Sequence, residues 1–170
     1  MRRIRKKYKK PFRPWDKERI EEEKKVMKKY GLRRKKEIWK AGAILRNFRR
    51  RAREIAAKND KEGERILLDK LYNLGIFESR EVKLDDVLDL KIDNILSRRL
   101  QTLVFEKKLS NTILQARQLI VHGHIAVDGR RTTFPSYLVP REKEDKIGYY
   151  GGFEPKINQK PSEQLKESGE

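Results

Sequence analysis

RRLQTLVFEKKLSNTILQARQLIVHGHIAVDGRR, residues Arg98 to Arg131, is the stretch whose reading decides the fold. Leu96, Leu100, Leu103 and Val104 recur at three- and four-residue spacing and predict one amphipathic helix, with Arg98, Arg99, Gln101 and Thr102 off its apolar stripe. Ile113, Ala116 and Ile120 predict a second helix, with Gln115, Arg117 and Gln118 displaced from the core line. Thr112 followed by Gln115 is a capping-box signature, and Gly123 supplies a left-handed stop. Ile125-Ala126-Val127 then enters Asp128-Gly129, a type I′ hairpin pair. Arg98, Arg99, Lys107, Lys108, Arg117, Arg130 and Arg131 oppose only Glu106 and Asp128 across the span. A compact helix–helix–hairpin unit with that surface suits a phosphate backbone.

Working outward, charge is distributed unevenly. The 170 residues carry a net charge of +18, with 41% charged and 36% hydrophobic side chains, so the core is small. Residues 1–60 hold 25 Lys/Arg against 8 Asp/Glu, whereas residues 61–170 hold 19 against 18. A basic first third on a near-neutral body points to a polyanionic partner. The start, with Arg2, Arg3, Arg5, Lys6 and Lys7, is too charged to collapse alone and reads as an arm over 1–13. Helices are predicted from about Asp16 to Tyr30, Lys35 to Asn59 and Gly63 to Leu74, with a further turn beginning at Asp85 or Asp86. In the longest, Ile38, Ala41, Leu45, Phe48, Ala52 and Ile55 form the core line, while Arg46, Arg49, Arg50, Arg51 and Arg53 lie on other faces. Short strands are expected around Tyr137–Val139 and Lys146–Tyr149, and 151–170 reads as a disordered tail. The expected class is α+β: an arm over 1–13, a mainly helical lobe over 14–96, a small helix–helix–hairpin module with a short sheet over 97–150, and the tail.

Several chemistries lack their residues. Without cysteine there are no disulfides, thiol nucleophiles or thiolate metal sites. No nucleophile elbow or glycine-rich phosphate loop is present, so no catalytic residue and no cofactor is expected. His122, His124 and Asp128 are too divergently placed around Gly123 to imply a metal site; hydrogen bonds to phosphate or 2′-hydroxyl suit the two histidines better. The arm lacks the apolar half of a membrane-surface helix, and no apolar run approaches the ~20 residues of a span, so no membrane partner is expected and a cytoplasmic setting is. Trp39 reads as core. Phe12 and Trp15 fit either packing at a helix entry or stacking on bases.

RRLQT, Thr112, ARQLI, the HGHI run, the turn glycine and Arg130 together resemble the RNA-binding module of the fourth family of small-subunit ribosomal proteins. The similarity extends over Leu84 to Ile147, including Pro135-Ser136-Tyr137 and Asp145-Lys146-Ile147. The wording RRLQTLVF and the basic lead-in resemble the archaeal and eukaryotic branch. The resemblance implies an α-L-type RNA-binding fold that binds 16S ribosomal RNA early, at a multi-helix junction of the 5′ domain. It also implies a place beside other small-subunit proteins, the fifth-family protein among them, and no homo-oligomer. The matching contact positions are Arg98, Arg99, Gln101, Thr112, Gln115, Arg117, Gln118, His122 and His124. Ile113 departs from the pattern, because many bacterial relatives carry arginine there. The zinc-binding cysteines of some relatives are absent. The same module also occurs fused to RNA-modifying enzymes, but residues 1–83 are too basic and helical to be a catalytic domain. General nucleic-acid compaction, for which the arm alone suffices, is the other alternative.

Overall fold

The computed structural model describes residues 6–152. Arg2, Arg3 and Arg5, and the expected tail beyond Gly152, lie outside the described residues. The chain folds as α1 (Lys17–Lys29), α2 (Lys35–Lys58), α3 (Lys61–Asn73), α4 (Leu84–Asp89), α5 (Ile92–Ser97), α6 (Leu100–Glu106), α7 (Ile113–His122), β1 (Ile125–Val127), β2 (Arg130–Arg131), α8 (Arg141–Glu144) and β3 (Ile147–Tyr149). This is an α+β architecture.

Local chemistry fixes the helix ends. The Asp16 carboxylate accepts from Arg19 N and starts α1, with Lys28 and Lys29 in its last turn where the helix dipole favours cations. Asp60 starts α3 in the same way, accepting from Gly63 N at 3.0 Å. Asn59 closes α2 in the left-handed region, φ 51°. The short helices α4 and α5 are held by Asp86 and Asn94, whose side chains accept from the backbone of Lys83 and Lys91.

Two apolar cores result. The first gathers α1 to α5 around Ile38, Leu45, Phe48, Leu71, Val87 and Leu96. The second packs Leu100, Val104, Ala116 and Ile120 against Ile125, Val127 and Val139. The sheet runs β2–β1–β3, antiparallel throughout, with Val127 opposite Arg130 on one side and Ile147 on the other. Asp128 and Gly129, at φ 56° and 72°, make the two-residue turn that Asp-Gly favours.

Three sequence expectations change. Leu96 and Leu100 belong to different helices: Arg99 is extended (φ −77°, ψ 143°) and bridges Leu138, so the apolar stripe crosses a break. Tyr137–Val139 makes that single bridge rather than a strand, because Leu100 N and Val139 N pair with Tyr137 O and Arg98 O and then α8 begins. The described part of the arm is not detached either. Tyr8 lies with its ring centroid 5.9 Å from that of Trp39, and the Trp39 indole donates to Glu23 at 3.0 Å.

Candidate nucleic-acid interface

The RRLQT run, expected to face outward, turns inward. Arg98 Nε donates to Leu74 O at 3.0 Å and its Nη2 reaches Glu144 at 2.8 Å, tying the end of α3 to α8. Gly75 makes room for it: at φ +70°, a Cβ there would meet the Arg98 guanidinium. Gln101 is 1% exposed, and its amide donates to Gly31 O at 3.0 Å and Ile113 O at 3.1 Å. Thr102 is buried and donates to Leu96 O at 2.8 Å. These polar side chains are spent on backbone carbonyls at helix ends and connections. Arg98, Arg99 and Gln101, three of the expected contact positions, are thus fasteners of the lobe junction. Ile113, the departure from the bacterial pattern, packs there too, 2.8 Å from where a Cβ on Gly31 would sit.

Glu37 is the hub of that junction. It accepts from Arg99 Nη2 at 2.5 Å and from Arg117 Nη2 at 3.1 Å, joining α2 to both helices of the module. Burial alone would raise its pKa. Hydrogen bonds from Arg117 and Arg99 outweigh that and hold the carboxyl below the usual glutamate range. Above it lies a groove of about 520 Å³ whose lining includes Lys7, Lys40, Arg99, Arg117 and Ser136, with Glu37 as its acid. Lys40, Ser136 and Glu37 were missed from sequence. Glu37 had a signal: it is the only acid between Glu23 and Glu54, set in a run of cations.

The remaining candidates divide by what already holds them. Thr112 caps α7 by accepting from Gln115 N, while the Gln115 side chain accepts from Asn111 N, one residue earlier than a capping box requires. Lys107 pairs with Asp145 at 3.4 Å. Arg131 donates to His122 O and crosses Gly123, which at φ +78° has no Cβ to block it. Lys108, Gln118, His122 and Arg130 are exposed, and His124 is half-buried. The two imidazole centroids lie 6.4 Å apart. Among the described residues no group of three His, Cys, Asp or Glu side chains is placed to hold a metal. The Asp128 carboxylate is held below its usual range by hydrogen bonds from Lys143 and Lys146. On α2, Arg46, Arg51 and Arg53 are exposed, Arg50 pairs with Glu54, and Arg49 turns inward to Leu90 O at 2.6 Å. Lys6 and Lys7 are exposed. No helix of the described residues is long and apolar enough to cross a membrane.

A helix–helix–hairpin unit with a cationic rim, locked to a basic helical lobe, is the build of an S4-domain protein, and residues 98–145 match the S4 domain family. The chain is 51% identical over 152 residues to the small ribosomal subunit protein uS4 of Ignicoccus hospitalis, covering 87% of this chain and 90% of that protein. It is 47% identical over 152 residues to uS4 of Methanothermobacter thermautotrophicus, covering 88% of each chain. With uS4 of Methanococcus aeolicus the identity is 51% over 151 residues, or 87% of this chain and 85% of that one. The chain belongs to the uS4 family of small-ribosomal-subunit proteins, in its archaeal form. Its relatives are structural proteins of the ribosome, not enzymes.

Proposed function

We propose that this chain is a structural constituent of the small ribosomal subunit that binds 16S ribosomal RNA directly and early, helping to nucleate the 5′ domain. It acts in the cytoplasm as one copy per subunit, beside neighbours such as the fifth-family protein. In this reading the arm over 1–13 and the helical lobe over 14–96 supply long-range attraction. The module over 97–150 supplies position.

The observation that carries the reading is the inter-lobe groove. It brings Lys7 and Lys40 beside Arg99 and Arg117, and its acid is already satisfied by the two guanidiniums. A-form RNA hides its base edges in a deep, narrow groove, so a protein recognises it through backbone shape, 2′-hydroxyls and unstacked loops. A fixed cationic cleft, on a chain that also exposes cations along α2 and on the hairpin, suits that task. Lys6, Lys7, Lys40, Arg46, Arg50, Arg51, Arg53, Lys108, Arg130 and Arg131 carry the backbone contacts. Arg117 orients the groove, and Thr112, Gln115, Gln118, His122 and His124 present the α7 ends.

The test is filter binding of the full chain to a 16S 5′-domain fragment and to duplex DNA of equal charge, at one salt concentration. The fragment is expected to bind more tightly, and Lys40→Glu to weaken that binding about tenfold, the scale of one lost charged contact. Equal affinity for both nucleic acids would leave only a general compacting protein.

A further inference from the structure

Away from the groove, an open surface of about 740 Å³ is lined by Phe12, Trp15, Arg13 and Lys17 together with Asp16 and Glu18. Phe12 is 99% exposed and Trp15 90% exposed. An aromatic residue just before a helix ordinarily folds back on the first turn. Neither ring does so, although Trp39, the other tryptophan, is packed. The segment that carries them is nevertheless restrained. Arg19 Nη2 donates to Arg13 O at 2.6 Å and to Pro14 O at 3.0 Å, and Pro11 and Pro14 limit the backbone on either side. Asp16, the nearest acid, caps α1. Lys10 and Arg13 are exposed on either side of Phe12 in the chain, whereas Lys7 lines the inter-lobe groove.

We propose that Phe12 and Trp15 form a stacking site for an unpaired nucleobase of an RNA strand, with Lys10 and Arg13 on the flanking phosphates. The proposal rests on the ribosomal-RNA reading and adds a single-strand contact to it. The surroundings favour a nucleic acid over a protein. The buried centre of a protein interface is depleted of lysine, whereas proteins that take single strands set aromatic faces in a positively charged track. A duplex presents its bases already stacked and offers such rings nothing. Only a splayed-out base does. Restraint by Arg19 lowers the ordering cost of binding, because the rings need not be gathered from a loose chain.

Trp15 is its own reporter. In the full chain carrying Trp39→Phe, a single-stranded adenylate decamer should quench Trp15 emission saturably, and a ten-base-pair RNA duplex at the same salt should not. Phe12→Ala or Trp15→Ala should weaken decamer binding about tenfold, with Trp15→Phe retaining most of the affinity and circular dichroism unchanged. Unaltered decamer affinity in both alanine variants, or equal quenching by the duplex, would overturn the stacking site and leave phosphate contacts only. Alanine variants that bind the decamer normally but no longer sediment with small subunits would assign the rings to a protein neighbour instead. The larger reading fails separately: a chain that stacks the decamer yet does not discriminate the 5′-domain fragment would keep this site and lose the ribosomal-RNA assignment.

Discussion

Glu37 accepts from two guanidiniums that reach it from different elements of the module, and its removal leaves both without their counter-charge. Arg99 is the more exposed to harm, since it is 5% solvent-accessible and its Nε has no partner among the described residues. Breaking a buried pair from one side costs about 3–5 kcal/mol. Glu37→Ala should lie near about 3 kcal/mol, the lower end of that range, because Arg117 remains partly wet; chemical denaturation would measure it. Arg117→Ala should cost about 1 kcal/mol, since Arg99 still neutralises the carboxylate. The same site sets an acid limit. The folded carboxyl has its pKa below the ordinary value of 4.5, so the folded chain binds fewer protons than the unfolded chain. Its contribution is whole above pH 4.5 and is lost as pH falls through the lower folded value. In Glu37→Gln that part of the acid-induced fall in melting temperature should be missing; an identical pH profile would show that Glu37 does not couple the lobes. Gly123→Ala, at φ +78° and against the Arg131 guanidinium, should cost about 1–2 kcal/mol for the left-handed backbone and more for displacing that side chain.

Helix starts and stops were the most legible elements, because each is decided by residues three or four apart. Asp16, Thr112, Gly123 and Asp128-Gly129 all act where they stand in the chain, whereas α3 starts at the Asp60 cap, ahead of the expected Gly63. Thr112→Ala should therefore cost about 1 kcal/mol in thermal unfolding, the usual worth of a side-chain cap. The core line of α2 was legible for the same reason: six apolar residues in steps of three and four admit only one buried face. The direction of Arg98, Arg99 and Gln101 was not. Gln101 is buried because its amide meets Gly31 O, 70 residues earlier in the chain, and periodicity contains no term for such a partner. The break between α5 and α6 was hidden likewise. Leu96 and Leu100 keep helical spacing while Arg99 is extended, and only its bridge to Leu138 reveals the bend. Of the candidate interface, the exposed cations of α2 and the hairpin were legible as charge. The groove was not, because Lys7, Lys40 and Arg117 meet only after two cores have docked.

At the scale of the whole molecule, charge and shape reside in different places, and so should affinity and discrimination. Deleting residues 1–13 removes eight cations, five of them among the described residues. It also removes the Tyr8–Trp39 contact and one carbonyl held by Arg19, so stability should fall by about 1 kcal/mol, the worth of one aromatic pair, with unfolding still cooperative. Loss of cooperativity would make the arm part of the first core. For binding, each phosphate contact released with the arm should flatten the log–log dependence of rRNA affinity on salt by about 0.7–0.9. Discrimination between the 5′-domain fragment and other RNA should change less, because of the eight cations removed Lys7 lines the groove and the rest make diffuse contacts that carry no sequence or shape. Lys40→Ala should do the opposite: it removes about one contact from the slope, yet it alters the one cleft that a particular backbone geometry must fit, and so it erodes the specificity ratio. Both variants belong in a single salt series, since affinities at different ionic strengths cannot be ranked. If arm deletion abolished discrimination while Lys40→Ala preserved it, the basic first residues would be reading the RNA and the groove would only be a seam between two cores.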